Sequence, residues 1–450
     1  MKARKREKEP IAHSPYKSKT RKRKKMLLLT FLLVFCCLSS SSSSSRFSTC
    51  TSSSSFDCGV QIGRGQSTRI RAALKTQHGS SLIAFVATTS GAALYQDYLT
   101  LHEQVFPHLV DEVRGLANGA GVEFQHLMAL NLEFELMSKG NVSNEGYVKG
   151  CSDFHLVKGA NIRGWGHNED GNPRDNDLFY FVSANISANV SNTSSSSSST
   201  SSSSSSSYFS FTYAGRLSGW AWSYNTFGLV FTVNGLFVLP DTKLGLGINF
   251  VARDLLDSTS VDNLIVRAQR SGQDGGSHFN VGNIFQDDSK DNQLQLSIET
   301  GFAGTTIQEI DGTSMDGIAD WYAHFNAYLH VDTYPHAGDY TSSVFRMARA
   351  TTLSQKMKKK KKKEKDVDLN WILDILSDQG GGAEKDAYCL YRCNTQEDPY
   401  ETYVTVLIDL VATTLTVYTN RTNSWQAENY WLQIDLSKNL LPTALPPFEP

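Results

Sequence analysis

In the stretch Tyr147–Gly171, YVKGCSDFHLVKGANIRGWGHNEDG, a cysteine directly follows a glycine at the head of one strand-like run, and a second run ends in GHNED. That placement offers Cys151 a specific chemistry. If the Gly150–Cys151 bond is cut, one residue carries both a thiol and a free α-amine, and an amine of ordinary pKa about 8 can take the thiol proton without a histidine partner. Gly150 has no side chain to hold the thiol away from the preceding carbonyl, as the cleavage itself requires. On the dipeptide alone the plain alternative is a buried thiol, because free cysteines are among the most buried residues.

The wider sequence favours the first reading. Four segments carry a resemblance: EVRGLANGAGVEFQHLMALNLEFEL (Glu112–Leu136), GCSDF (Gly150–Phe154), GHNED (Gly166–Asp170) and WSYNTFGLVFTVNGL (Trp222–Leu236). In this order the chain, from Gly59 to Leu436, resembles the acyltransferase and hydrolase family of N-terminal-nucleophile enzymes that contains fungal acyl-CoA:6-aminopenicillanic acid acyltransferase and fly N-β-alanyl-dopamine hydrolase. The resemblance implies an α+β fold, a four-layer αββα sandwich, made as a precursor that cuts itself before Cys151 into an α chain and a β chain. It also implies roles. Cys151 is the nucleophile, Asp170 the carboxylate that holds the new α-amine, and Asn326 in HFNAYLH and Asn234 in FTVNG the amides that face a tetrahedral oxyanion. Asp170 could instead be a turn residue before Gly171, and either asparagine could cap a turn. Three positions depart from the pattern or fit it loosely. Asp153 stands where the family often has a small hydroxyl residue, and His167 where bile-salt hydrolase and ceramidase relatives carry Arg, which disfavours anionic and lipid substrates. Arg346 in SSVFRMAR fits a family Arg position and equally a helix-surface charge.

The elements that must position these residues fall into three blocks. The first, Gly59 to Gly150, opens strand-like through Leu82–Val86. It then turns helical, with Leu101, Val105, Leu109, Val113 and Leu116 at spacings of three and four, a kink at Pro107 and a further helix over Phe124–Met137. The second opens with strand candidates at Ile162–Gly166, Leu178–Ala184, Tyr208–Tyr213 and Leu229–Val233, followed by helices at Ala252–Gln269 and Ser342–Met357. The third holds an amphipathic Asp366–Asp378 and strands at Tyr403–Leu410 and Thr414–Tyr418. A serine tract, 194–207, and a lysine tract, 357–365, add almost no apolar residues and read as solvated inserts in one folded body spanning 59–450.

Composition sets the outer bounds. The chain has 450 residues, 40% hydrophobic and 11% aromatic, which excludes a disordered or collagen-like protein. Its formal charge of −2 hides two basic runs, 1–25 and 356–365, that leave the remainder at about −19. An acidic body of that size argues against a nucleic-acid partner. Leu27–Leu38, LLLTFLLVFCCL, is too short to span a bilayer comfortably but suits a signal-peptide core, so 1–58 reads as a signal segment and serine-rich linker. A membrane partner is expected only if that segment is kept as an anchor. Acceptor motifs at Asn141, Asn185, Asn189, Asn192 and Asn420 agree with a secreted or vacuolar/lysosomal product. Outside the signal lie Cys50, Cys58, Cys151, Cys389 and Cys393, an odd number that leaves one free if the other four pair. With neither CxxC nor HExxH present, no metal and no cofactor are expected. The expectation is a self-processing cysteine enzyme that hydrolyses or transfers the acyl group of a small N-acyl amine, its partners being that substrate and its own two chains. The alternatives are an N-acyl lipid amidase of the ceramidase type and a non-catalytic secreted glycoprotein that retains the fold.

Overall fold

The structure, a computed structural model, describes residues 45–140, 142, 149–158, 161–187, 206–236, 244–284, 294–311, 321–331, 340–360, 368–380, 389–394, 398–420 and 426–448. Leu27–Leu38, Asn141, Asn189 and Asn192 lie outside them, whereas Asn185 and Asn420 are described and exposed.

Two strands, the first of which carries Cys151, set the architecture. In β2 (Lys149–Lys158) and β3 (Ile162–Gly171), paired antiparallel, side chains alternate between two faces. Asp153 and His155 of β2 and Trp165 of β3 point at a second sheet, bonding Thr232, Asn280 and Thr232 respectively. Phe154 and Leu156 point the other way, into an apolar cluster with Ile372, Leu373 and Leu376 of the helix αc (Asn370–Leu376). One sheet is thus sandwiched between a second sheet and a helix, because one face of β2 is polar and the other apolar.

The β2–β3 sheet has six strands, ordered β11-β2-β3-β12-β13-β14, with β11 Trp321–His324, β12 Glu401–Asp409, β13 Thr414–Tyr418 and β14 Leu432–Asp435. The facing sheet has eight, ordered β1-β4-β5-β6-β7-β8-β9-β10: β1 Phe47–Ser52, β4 Phe179–Ile186, β5 Ser206–Tyr213, β6 Trp222–Asn225, β7 Leu229–Leu236, β8 Gly276–Asn283, β9 Gln295–Gly301 and β10 Gly304–Glu309. Its outer face packs on helices from the first block and on Ile248–Leu255, all within one apolar cluster. The result is the αββα layering that the resemblance implies.

Several boundaries differ from the sequence reading. Phe47–Ser52, inside the segment read as linker, forms β1 and pairs in parallel with β4, and Cys50 is disulfide-bonded to Cys58, so the folded body begins well before Gly59. Leu82–Val86 is not a strand. It ends the helix Gln77–Val86, which Thr76 caps by accepting from Gly79 N and which buries His78, Leu82 and Val86 four residues apart. Pro107 divides rather than kinks the next helical run, standing in the first turn of Pro107–Ala120 after Thr89–Val105 has ended, where its missing N–H costs nothing. The lysine tract begins within a helix, Tyr340–Lys360, and Ser206–Ser207 belong to β5. Among the described residues no helix is long and apolar enough to cross a membrane.

The helices Ser55–Gly65 and Pro107–Ala120 meet backbone to backbone at Gly59, Gly63, Gly115 and Gly119. A Cβ added at Gly115 would lie 2.0 Å from Phe56 O. Gly115→Ala should therefore lower stability by about 1–3 kcal/mol, the usual cost of overpacking, measured by thermal or denaturant unfolding. An unchanged midpoint would mean that the two helices can separate freely.

Candidate active site

The β2–β3 ladder sets Gly150 opposite Asp170 and Cys151 opposite Glu169. This register brings the proposed scissile bond and the GHNED motif together. Cys151 is 2% exposed, and its Sγ lies 3.6 Å from Glu169 Oε2. Its backbone N–H donates to Asn326 Oδ1 at 3.1 Å, and its carbonyl accepts from Arg346 Nη1 at 2.5 Å. Arg346 also donates to Asn326 Oδ1 at 2.8 Å and to Ser152 Oγ at 3.0 Å, while Asn326 Nδ2 donates to Gly235 O at 3.0 Å. Both peptide groups of Cys151 are thus gripped by side chains more than 170 residues away in sequence. Arg346 is wholly buried, so the surface-charge reading of this residue is wrong: Ser342, Ser343 and Arg346 share the face of Tyr340–Lys360 that turns inward.

Gly150 is required by its surroundings. A Cβ there would lie 2.6 Å from Arg392 Nη1 and 3.5 Å from Asn326 Oδ1. Arg392, itself buried, is held by Asp398 at 2.6–3.1 Å and stands 3.6 Å over the Tyr400 ring. Asp170 accepts from Thr402 Oγ1 at 2.7 Å through one oxygen, while its other, Oδ2, is buried with no hydrogen-bond partner. Burial lifts the Asp170 carboxyl to about 7 in spite of Arg392 and Arg346.

Behind the thiol runs a buried relay. Glu169 Oε2 lies 3.0 Å from His167 Nε2, and His167 Nδ1 lies 2.9 Å from Asp153 Oδ2. Tyr213 OH donates to the other Glu169 oxygen. Asp153 accepts from Thr232 Oγ1 and Asn234 Nδ2, both at 2.6 Å, and Asn234 Oδ1 is engaged by His278 at 2.8 Å. Asn234 therefore enters the network through Asp153, whereas Asn326 touches Cys151 directly. Burial opposes charge on His167, but Asp153 and then Glu169 override it and raise the imidazole to about 10. Burial would raise Asp153 too, yet His167 holds it below the ordinary carboxylate value. The Cys151 thiol is pushed well up by burial and by Glu169, Asp170 and Asp153, against Arg346.

Of the residues singled out in the sequence, the structure brings Cys151, Asp170 and Asn326 together, with Asn234 reached through Asp153; Glu169 and Arg392, which the sequence reading did not single out, lie beside them. The period of two would have placed Glu169 beside His167 on the thiol's face of the sheet; nothing local marks Arg392. Cys151, His167 and Glu169 also bring ligand atoms within 4.8 Å of one another, a set able to hold a metal ion although no motif announces it. The same is true of His108, Asp254 and Asp257, but both aspartates are already paired with arginines.

Because its folded pKa lies above the ordinary value, the His167 pairing stabilises fully below about 6.5 and is lost as pH rises through about 10. His167→Gln should cost roughly 3–5 kcal/mol at neutral pH, leaving two buried carboxylates without their cation. It should also flatten the fall of the melting temperature between those two pH values; parallel wild-type and variant profiles would overturn the charged pair.

The chain is 24% identical over 378 residues to beta-alanyl-dopamine/carcinine hydrolase of Drosophila melanogaster, covering 82% of this chain and 92% of that protein. Among solved structures, a mutant conjugated bile acid hydrolase from Clostridium perfringens matches at 11% identity and TM-score 0.35, covering 64% of this chain and 93% of that one. Penicillin V acylase from Agrobacterium tumefaciens matches at 13% identity and TM-score 0.30, covering 61% and 84%. Overlaps that low add nothing to the architecture described above. The profile of the acyl-coenzyme A:6-aminopenicillanic acid acyl-transferase family matches residues 157–424, beginning just after GCSDF. On that match this chain belongs to the acyl-coenzyme A:6-aminopenicillanic acid acyl-transferase family, and it is an enzyme of the acyltransferase and amide-hydrolase kind.

Proposed function

We propose that the protein is a self-processing cysteine amidohydrolase or acyltransferase that acts on small N-acyl amines. The observation that carries the proposal is the grip on Cys151: Asn326 on its N–H, Arg346 on its carbonyl and Glu169 at its thiol, beside a glycine whose missing side chain leaves room for Arg392. The substrate class is supported by the fly relative, whose name gives β-alanyl-dopamine and carcinine as its substrates.

In the precursor no α-amine exists, and the buried thiol resists ionisation, so its proton needs another acceptor. Glu169 is the group in reach. Cys151 Sγ attacks the Gly150 carbonyl carbon as its proton passes to Glu169. The carbon–nitrogen bond then breaks as Glu169 hands that proton to the departing nitrogen, leaving the Gly150 acyl group as a thioester on Cys151 and a free α-amine. Water hydrolyses the thioester to a Gly150 carboxylate and restores the thiol. The new ammonium supplies a cation for Asp170, whose Oδ2 has no partner before cleavage. In turnover the α-amine in its neutral form takes the thiol proton, becoming the ammonium that faces Asp170, and returns that proton to the leaving amine, and the acyl group passes from sulfur to water or to a second amine. Asn326 keeps one Nδ2 hydrogen beyond that given to Gly235 and offers it to the oxyanion, with Asn234 supporting from Asp153.

The apolar Leu27–Leu38 segment, the exposed Asn185 and Asn420 and the Cys50–Cys58 bond support routing through an oxidising secretory compartment. On this reading N-glycosidase treatment lowers the apparent mass of the cellular protein, and an unchanged mass together with a cytosolic pool would remove it.

Processing is tested on a denaturing gel with N-terminal sequencing. Wild-type protein should yield a chain starting at Cys151, Cys151→Ala should stay intact, and folded Glu169→Gln should process roughly 10²–10⁴-fold more slowly, the range for loss of a general base. Cleavage of Cys151→Ala at the same bond would mean a foreign protease. Among processed enzymes, Asn326→Ala should lose about 10²–10³ in turnover on a panel of N-acyl amines. Wild-type rates would leave Asn326 a purely structural role, and a panel without any substrate would favour the binding glycoprotein.

A further inference from the structure

Two thiols outside the relay lie close together beside the scissile bond. Cys389 and Cys393 flank Arg392, the cation that abuts Gly150. Both sulfurs donate to one acceptor, Tyr391 O, at 2.8 Å and 3.1 Å, which holds them on the same carbonyl. The backbone there is already turned back on itself: Asn394 N–H donates to Tyr400 O, and Cys393 forms an isolated bridge with Glu401. Cys389 is buried and Cys393 exposed, which separates an entry thiol from a resolving one.

We propose that Cys389 and Cys393 form a second disulfide, leaving Cys151 as the single free thiol of the folded body. The parity of the five cysteines outside the apolar segment supports it, and the bonded Cys50–Cys58 pair shows that this fold already accommodates one such cross-link. The co-reactant is a small disulfide of the glutathione type. The exposed Cys393 thiolate attacks one of its sulfurs and releases one glutathione thiol. Cys389 then attacks the mixed disulfide at Cys393, releasing the second, so two protein thiols are oxidised as one disulfide is reduced to two thiols. The closed loop is short, so the bond braces the Arg392 turn locally rather than the whole fold. It also removes from the site's neighbourhood the two thiols that could capture Cys151 in a wrong disulfide or accept its acyl group.

The full chain, equilibrated with defined mixtures of reduced and oxidised glutathione, is quenched in denaturant with an alkylating agent, digested and analysed by mass spectrometry. The peptide carrying Cys389 and Cys393 should be unalkylated and lighter by one hydrogen molecule in oxidising mixtures and doubly alkylated in reducing ones, with Cys151 alkylated in both. Full alkylation of both cysteines at every ratio, or pairing of either with Cys151, would overturn the proposal. The bracing is read by hydrogen exchange over 389–394. Exchange should rise to the same extent in Cys393→Ser and in reduced wild-type protein, and equal protection in the oxidised, reduced and variant forms would overturn it. Neither readout uses activity, so failure here and failure of the self-processing mechanism are distinct results.

Discussion

One buried chain of charge ties the two sheets together: Asp153 to His167 to Glu169, anchored at one end by Thr232 and Asn234 and at the other by Tyr213. Asp153, His167 and Glu169 are fully buried, so each ionised group must find its partner inside the protein or pay the full cost of desolvation. In the observed registration of β2–β3 against β5 and β7 each of them has such partners. Placement of Cys151 is therefore tied to the charges behind it, because Cys151 and Glu169 are ladder partners and cannot move independently.

The surroundings of Gly150 and Cys151 differ between the two sides of the β2–β3 sheet. On the side facing the second sheet, carboxylates and an imidazolium surround the thiol. On the helix side, Arg346 and Arg392 bring positive charge to the backbone of Gly150 and Cys151. Asp170 lies between these influences, opposite Gly150, and is lifted by burial because its nearby cations do not fully compensate. Burial thus keeps the Cys151 thiol protonated and leaves Asp170 Oδ2 without a hydrogen-bond partner.

Glycine is used here as a way to bring groups close. Gly150 admits Arg392, and Gly166, the first residue of GHNED, lets Ile372 and Leu376 approach within the space a methyl would fill. The same motif thus serves packing on one face through Gly166 and chemistry on the other through His167 and Glu169, with Asn168 bonding the carbonyls of Leu376 and Leu390 to fix the helix side. That division explains how so short a segment can be recognisable in sequence while its residues have unrelated tasks.

The alternation of apolar and polar residues made the central strands legible, and the order of four motifs made the layered architecture legible, since those signals are local or nearly so. Boundaries were misread where a tertiary partner overrode composition. Phe47–Ser52 looks like linker because four of its six residues are Ser or Thr, yet β4 offers it an edge to pair with. Leu82–Val86 looks like strand until Thr76 caps a helix ahead of it. A thiol directly after glycine singled out Cys151 by residue type, whereas Asp170 and Asn326 were singled out only through the family resemblance. Which carboxylate stands at the thiol, which arginine faces the backbone and which asparagine touches Cys151 were decided only by the fold, because these contacts join Cys151 to residues as distant as Arg346 and depend on which face each side chain takes when the sheets close.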